Sequence, residues 1–441
     1  MSRVVCKFGG TSVADSGQFR KVRAILEQDS RRTVLVPSAP GKRTKTEAKI
    51  TDLLYVCHDM AAVRADFMEP FKEIRGRYIG IADELGIETE LNRQFDVFFE
   101  ELKRGTSRDF VASRGEYFNG LLFAAYLGAE FIDPKDYIVI MPSGIVDPIS
   151  YANLGARLAD TSRTYVVPGF YGRDSQGNVK TFSRGGSDIS GAIVARAIGA
   201  ELYENWTDVS GLLMADPRIV ANPQPMQEVT YREIRELSYM GANVFHDEAI
   251  LPVIEASIPI CIKNTNEPQH PGTRIVSRLS PETVKTTEIA GIAGKRGFSM
   301  ICIEKSLMNK ELGFAYRLLG IMEGHKISVE HCPSSIDGIN VIVESKYLQD
   351  NTDTVLDEIR RVLQPDSVTI ESDLALIALV GEGMSNSIGT AAKLFAALRD
   401  AQVNVRVINQ GASEFNIIVG VVPDDYETAV RAIYGAFVRL N

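Results

Sequence analysis

No apolar run in these 441 residues approaches the ~20 needed to cross a bilayer, and the N-terminus enters a polar, glycine-rich turn too early for a signal peptide. Cysteine is scarce. Cys6, Cys57, Cys261, Cys302 and Cys332 are scattered, odd in number and without a Cys-x-x-Cys pair, which argues against a disulfide framework or a thiolate metal site. Buried thiols in a reducing cytoplasm are the expectation. Basic charge is also short: the net charge of −9 argues against nucleic acid or acidic membrane as the main partner, so cations that handle an anionic substrate must be gathered locally. What remains is a globular composition, 45% hydrophobic and 24% charged, in a chain long enough for two or three domains.

The stretch Lys7-Phe-Gly-Gly-Thr-Ser-Val13 follows the apolar run Val4-Val5-Cys6 and precedes a helical pattern over residues 15–28. Gly9 and Gly10 carry no Cβ, so a ligand can approach the backbone closely. N–H groups beyond them, with Thr11 and Ser12, could cradle phosphate oxygens while Lys7 supplies the cation. The Lys precedes the glycines, so this is not a Walker loop. An ordinary strand-to-helix turn reads as well from these residues alone.

To about residue 285, strand-like runs alternate with helix-like ones, the pattern of an α/β domain with a largely parallel sheet. The expected strands are Val4–Lys7, Thr33–Val36, Ile138–Met141, Tyr165–Val167, Glu201–Asn205 and Pro259–Lys263. Ligands on such sheets bind beyond the carboxyl ends of strands. After the second strand, Lys42, Arg43, Lys45 and Lys49 crowd a loop against one acid, Glu47; it reads as a solvated loop or as a cationic lid. Residues 113–127 read as a packed helix with Glu116 in its first turn, either a dipole cap or a carboxylate for a substrate ammonium. A second double-glycine turn, Ser183-Arg184-Gly-Gly-Ser187-Asp188, opens another helix. The Arg184 fork suits a carboxylate or phosphate, and Asp188 can orient that fork or receive an ammonium. Residues 201–218 end a strand at Thr207-Asp208 and turn again at Asp216-Pro-Arg218, a candidate platform for a nucleotide.

Residues 298–345 and 374–421 are alike at a constant offset of 76. Lys326-Ile-Ser-Val overlays Gln402-Val-Asn-Val, and Ile339-Asn-Val-Ile-Val overlays Phe415-Asn-Ile-Ile-Val. Each copy reads as most of a split βαββαβ unit. The first has room for a last strand near 366–371, whereas the second runs out of chain. Residues 288–293 are the expected donor of the missing strand, so the second unit is expected to be discontinuous, with the first inserted into it.

In order, Lys7-Phe-Gly-Gly-Thr-Ser-Val, Ser-Arg-Gly-Glu116, Ser-Arg184-Gly-Gly-Ser-Asp188, Trp-Thr207-Asp208-Val-Ser-Gly, Asp216-Pro-Arg218 and Gly241-Ala-Asn-Val-Phe-His resemble the aspartate kinase family over nearly the whole chain. The resemblance implies an amino-acid-kinase fold over 1–285, one ACT domain over 296–372 and a second over 286–295 plus 373–441. It also implies ATP-dependent phosphorylation of the aspartate side-chain carboxylate, with Mg²⁺ held by phosphate oxygens and water. By the same resemblance Lys7, Asp188 and Arg184 are catalytic; Thr51, Glu116, Arg184 and Ser187 line the aspartate site; and Lys7, Gly9, Gly10, Thr11, Thr207, Asp208, Asp216 and Arg218 meet ATP. An amino-acid effector, lysine ahead of threonine, is implied against Met308, Phe314, Ala315, Ser328, Val329 and Glu330, with dimers formed through the ACT domains. Glu311 stands where many lysine-sensitive relatives have a small residue. Asn243 and Asp247 depart from the Lys and Pro of many relatives. The competing readings are a kinase of the same fold acting on glutamate, acetylglutamate or uridylate, and a catalytically silent amino-acid-binding regulator.

Overall fold

The computed structural model describes residues 2–183, 185–242, 250–286, 288–349, 351–411 and 413–438. Among them the chain gathers into two compact units, one of Met1–Leu212, Pro225–Arg232 and Phe245–Leu279, the other of Leu213–Gln224, Glu233–Val244 and Ser280–Asn441.

In the first unit the apolar runs become the strands β1 (Val4–Phe8), β2 (Arg32–Pro37), β3 (Glu130–Phe131), β4 (Tyr165–Val166), β5 (Tyr171–Arg173), β6 (Val179–Thr181), β7 (Leu202–Thr207), β8 (Glu228–Thr230), β9 (Ile260–Asn264) and β10 (Thr273–Val276). Eight of them form one sheet in the order β3-β4-β2-β1-β7-β9-β10-β8, parallel throughout except between β9 and β10, while β5 and β6 make a separate hairpin. Residues on β1 are buried on both faces, as expected of a strand sandwiched between helices. Those helices are α1 (Ser16–Glu27), α2 (Ile50–Ala62), α3 (Met68–Leu85), α4 (Leu91–Arg104), α5 (Arg108–Leu127), α6 (Ile149–Arg157) and α7 (Gly186–Ala197). An aromatic cluster of Phe71, Tyr78, Phe95, Phe98 and Phe118 locks α3, α4 and α5 together.

Two local expectations need correction. Residues 138–141 form only isolated bridges, from Val139 to Arg173 and from Ile140 to Val146, because they turn back on themselves at Gly144 instead of running along the sheet. Helix α5 starts five residues earlier than its pattern suggests, at Arg108. The Ser107 hydroxyl accepts from Phe110 N at 3.1 Å and caps it there, so Glu116 lies in mid-helix and is no dipole cap.

The second unit is built on β11 (Gly291–Glu304), β12 (Gly338–Glu344), β13 (Ser367–Val380), β14 (Val407–Asn409) and β15 (Asn416–Val421), one antiparallel sheet in the order β12-β11-β13-β15-β14. Its two 14-residue strands run alongside each other. Gly291–Arg296 pairs with Ala375–Val380, and Met300–Glu304 pairs with Ser367–Glu371. Between those halves the register shifts beside Gly297 and Asp373, both with positive φ. Each half has its own core, one around Ile301, Leu318, Val341 and Ile359, the other around Ile292, Ile377, Leu394, Val419 and Ile433. The repeated helices Phe314–Gly324 and Thr390–Asp400 keep the offset of 76, each capped by a left-handed glycine, Gly313 or Gly389. Residues 328–330, expected as a strand, carry none; isolated bridges from His331 and Ser334 reach β12 instead, on either side of Pro333, which has no N–H to donate.

Candidate functional site

β1 delivers Lys7 to the carboxyl end of the sheet, in register with Asn205 of β7 and Val36 of β2. Lys7 is buried, and its Nζ stands 2.5 Å from Asp188 Oδ1 and 3.4 Å from Asn205 Oδ1. The Asn205 amide closes the triangle by donating to Asp188 Oδ1 at 2.8 Å. Asp188 sits in the first turn of α7, and its main-chain carbonyl accepts from the Tyr203 hydroxyl at 3.0 Å. The ends of β1 and β7 therefore meet the start of α7 at one cation.

Beyond Phe8 the backbone turns sharply. Gly9 N donates to Trp206 O at 2.9 Å, Ser12 N donates to Gly9 O at 2.9 Å, and Gly10–Val13 form a short 3-10 turn before α1 begins at Ser16. Gly10 is tightly packed: a Cβ there would lie 3.1 Å from Ala39 O and 3.3 Å from Gly41. Thr11 is exposed, whereas Ser12 is buried and accepts from the Thr265 hydroxyl at 2.7 Å. The second double-glycine turn opens α7 through Gly185 in the left-handed region, φ 58°. Ser187 packs so closely on Gly169 that a Cβ there would come within 2.7 Å. Arg184, Asn243 and Asp247 lie outside the described residues.

Across from Lys7, Glu116 and Asn119 lie one helical turn apart on α5, both buried. The Asn119 amide donates to Ser38 O at 2.6 Å, and Ser38 N in turn donates to Phe8 O at 3.0 Å. Glu116 Oε2 and Asn119 Oδ1 have no hydrogen-bond partner among the described residues. Two orphaned buried acceptors mark a place built to receive a donor. Burial pushes the Glu116 carboxyl up to about 8, against the pull of the Ala39 and Glu116 backbone N–H groups and the Lys7 charge. Thr51, the second residue of α2, is half-buried. The Thr207 hydroxyl donates to Asp208 Oδ1 at 3.2 Å. Asp216 and Arg218 fall in the segment that gathers with the second unit, where the Arg218 guanidinium turns onto Asp216 at 2.6 Å.

Sequence reasoning missed Asn205 and Asn119. The signals were present: Asn119 stands at i+3 from Glu116 on one helix face, and Asn205 is the strand-end polar residue just before Trp206-Thr207-Asp208.

In the second unit, Met308 opens a 3-10 turn, and Phe314 and Ala315 begin the helix behind Gly313. Ser328, Val329 and Glu330 follow that helix, and Glu330 N donates to Ile342 O at 2.8 Å. The Glu330 carboxylate accepts from the Tyr239 hydroxyl. Glu311 binds Lys305 at 2.6 Å and also Arg317, which hold its carboxyl below the usual range. At the corresponding turn of the second copy, Glu288 accepts from Thr390 at 2.7 Å and from Lys393 at 2.8 Å.

Residues 2–264 match the amino acid kinase family, and residues 377–437 match the ACT domain. Aspartokinase 3 of Bacillus subtilis (strain 168) is 41% identical over 449 residues, covering 98% of each chain. The crystal structure of Clostridium acetobutylicum aspartate kinase, described as an allosteric enzyme, superposes with a TM-score of 0.92 at 47% identity, covering 99% of this chain and 100% of that one. E. coli aspartokinase III superposes at 26% identity in two complexes. With aspartate and ADP (R-state) the TM-score is 0.71, covering 98% of this chain and 99% of that one. With lysine and aspartate (T-state) it is 0.73, covering 99% and 100%.

Proposed function

From a chain that belongs to the amino acid kinase family and, within it, to the aspartokinases, we propose that ATP phosphorylates the side-chain carboxylate of L-aspartate here, giving 4-phospho-L-aspartate at the head of lysine, threonine and methionine synthesis. The observation that carries this reading is the buried Lys7–Asp188–Asn205 triangle at the lip of the Gly9-Gly10 turn, facing the orphaned acceptors Glu116 Oε2 and Asn119 Oδ1.

A carboxylate nucleophile is already ionised at neutral pH, so no general base is needed. Catalysis reduces to alignment and charge neutralisation. Lys7 bridges the transferring phosphoryl group, leaving part of its contact with Asp188 to do so. Gly9, Gly10 and Thr11 let the phosphates approach the backbone, Thr207 and Asp208 hold the rest of ATP, and the phosphate oxygens would carry Mg²⁺. Glu116 takes the substrate ammonium, with Thr51, Ser187 and Asn119 around it, and Arg184 clamps a carboxylate.

The kinase domain is assigned to 1–285, the first ACT domain to 296–372 and the second to 286–295 plus 373–441, an assignment supported by the pairing of Gly291–Arg296 with Ala375–Val380. Lysine is the favoured effector, supported by the lysine complex of E. coli aspartokinase III, and its pocket is assigned to Met308, Phe314, Ala315, Ser328, Val329 and Glu330. Homodimers form through the ACT region, supported by Leu312, in the turn before the helix Phe314–Gly324, and Tyr316, in its first turn, which are 94% and 81% exposed. A cytoplasmic location is supported by five free cysteines.

The test is ATP turnover on aspartate, glutamate and acetylglutamate with hydroxylamine trapping of the acyl phosphate, with and without lysine and threonine. Trapped product from aspartate alone, suppressed by lysine and lost in Lys7→Ala, is expected. Product only from another carboxylate, or full turnover in Lys7→Ala, rejects the reading.

A further inference from the structure

The basic loop after β2 is organised by a residue that does not belong to it. Arg77, on α3, keeps only 4% of its side chain exposed, and its guanidinium stands 2.8 Å from Glu47 Oε1, the loop's single acid. Its other arm donates to Gly41 O at 2.8 Å and to Ala14 O at 3.3 Å. Glu47 in turn gathers Arg43, whose backbone N–H donates to it at 2.7 Å and whose guanidinium lies at 2.5 Å. Lys42, Lys45 and Lys49 are exposed and make no ion pair among the described residues. One planar fork thus binds both ends of the basic loop and the segment that follows the Gly9-Gly10 turn.

What this fork fixes is the backbone beside that turn. Gly41 N donates to Gly10 O at 2.8 Å, and a Cβ on Gly41 would lie 2.5–2.7 Å from Gly10 C and O and from Thr11 N. The two main chains are therefore in contact, and Arg77 holds Gly41 from behind. Helix α3 cannot drift, because the next residue, Tyr78, is buried in the aromatic cluster and donates to Gly115 O at 2.7 Å, one position before Glu116. Desolvation lowers the Arg77 pKa while Glu47 raises it, a balance a buried fork keeps only when its partners are in place.

We infer that Arg77 is a positioning residue for the nucleotide phosphates: through Glu47 and the carbonyls of Gly41 and Ala14 it sets the basic loop against the Gly9–Ser12 turn. The inference rests on reading that turn as the phosphate site. A guanidinium satisfies two carbonyls and a carboxylate at once, which an ammonium does not do in the same plane. Without it, the loop that supplies Lys42, Lys45 and Lys49 loses its attachment, and Gly41 can withdraw from Gly10.

The experiment is steady-state kinetics on the full chain with Arg77→Ala, Arg77→Lys, Glu47→Gln and Gly10→Ala. Arg77→Ala and Arg77→Lys should raise KM for ATP about tenfold and leave KM for aspartate within about twofold, the signature of lost ground-state contacts to one substrate. Arg77 lines a cavity of about 470 Å³ with Asp15, Arg43, Glu47 and Lys72, so sub-denaturing guanidinium should restore the ATP KM of Arg77→Ala and leave the wild type unmoved. A fall in kcat or thermal midpoint with an unchanged ATP KM would overturn the inference, as would a full return of function in Arg77→Lys. Should Arg77→Ala fail to fold, Glu47→Gln decides the matter, with an ATP KM raised about threefold expected and an unchanged one overturning it. Gly10→Ala separates the two layers. If it raises the ATP KM and the Arg77 and Glu47 variants do not, only the role of Arg77 is lost; if it leaves the ATP KM unchanged, the phosphate site itself is misplaced and the inference falls with it.

Discussion

Burial, which pushes the Glu116 carboxyl up to about 8, holds its proton at neutral pH, and that has a thermodynamic cost. Its folded pKa of about 8 lies above the usual 4.5, so between those values the native state holds a proton that the unfolded chain releases. Stability from this group is therefore lost as pH rises from about 4.5 to about 8 and is level above that. A bound ammonium reverses the preference, because it favours the carboxylate. Aspartate binding should then expel a proton, and KM for aspartate should fall as pH rises toward 8, by up to about tenfold per pH unit. Glu116→Gln should raise that KM and flatten its pH profile, measured at saturating ATP; a wild-type profile in the variant would remove Glu116 from the ammonium site. At this scale the sequence was readable where chemistry clusters along the chain: Lys7, Asp188 and Glu116 each stand inside a short polar motif. Arg77 was not, because Arg75-Gly-Arg77 on a helix looks like a solvated face. Only the arrival of two loops from residues 14 and 41 buries it.

Among elements, the junction of α7 with β7 is the most exacting. Gly191 sits so close to the Tyr203 ring that a Cβ would lie 2.6 Å from its edge and hydroxyl, and that hydroxyl anchors the Asp188 carbonyl. Gly191→Ala should cost about 1–3 kcal/mol, as overpacking usually does, and should lower kcat by moving Asp188 away from Lys7. Urea denaturation alongside turnover checks both effects, and a wild-type midpoint would mean the ring has room to yield. The strands were legible as buried apolar runs, and β1, β2, β7 and β9 fall within a residue or two of their expected bounds. The start of α5 was not, since Gly105-Thr-Ser107 reads as a loop and the cap that extends the helix is a single hydroxyl contact. The 138–141 segment failed for the opposite reason. Its apolar run is real, but burial there is supplied by bridges to Val146 and Arg173 rather than by a ladder.

For the whole molecule, the repeat at an offset of 76 was legible because both copies keep their glycine cap and apolar spacing. That β11 and β13 each run unbroken through both halves was not, because the joints at Gly297 and Asp373 look like ends of strands. The proposed dimer belongs to this scale too. Leu312 and Tyr316 are exposed on the first copy, and Ile388 occupies the place of Leu312 in the second. Tyr316→Glu should shift the sedimentation coefficient toward a monomer and weaken inhibition by lysine, while turnover without effector stays near wild type. An unchanged sedimentation profile would move the interface elsewhere.

The paired long strands also limit how this regulatory architecture can be divided. Gly291–Arg296 precedes the first copy in sequence yet borders the strand that heads the second, so segments from either side of the first copy meet in one ladder. A gene fragment cut at either copy's boundary would strip a hydrogen-bonded neighbour from the other. Anyone grafting this sensor onto a different enzyme has to carry both copies across as one cassette.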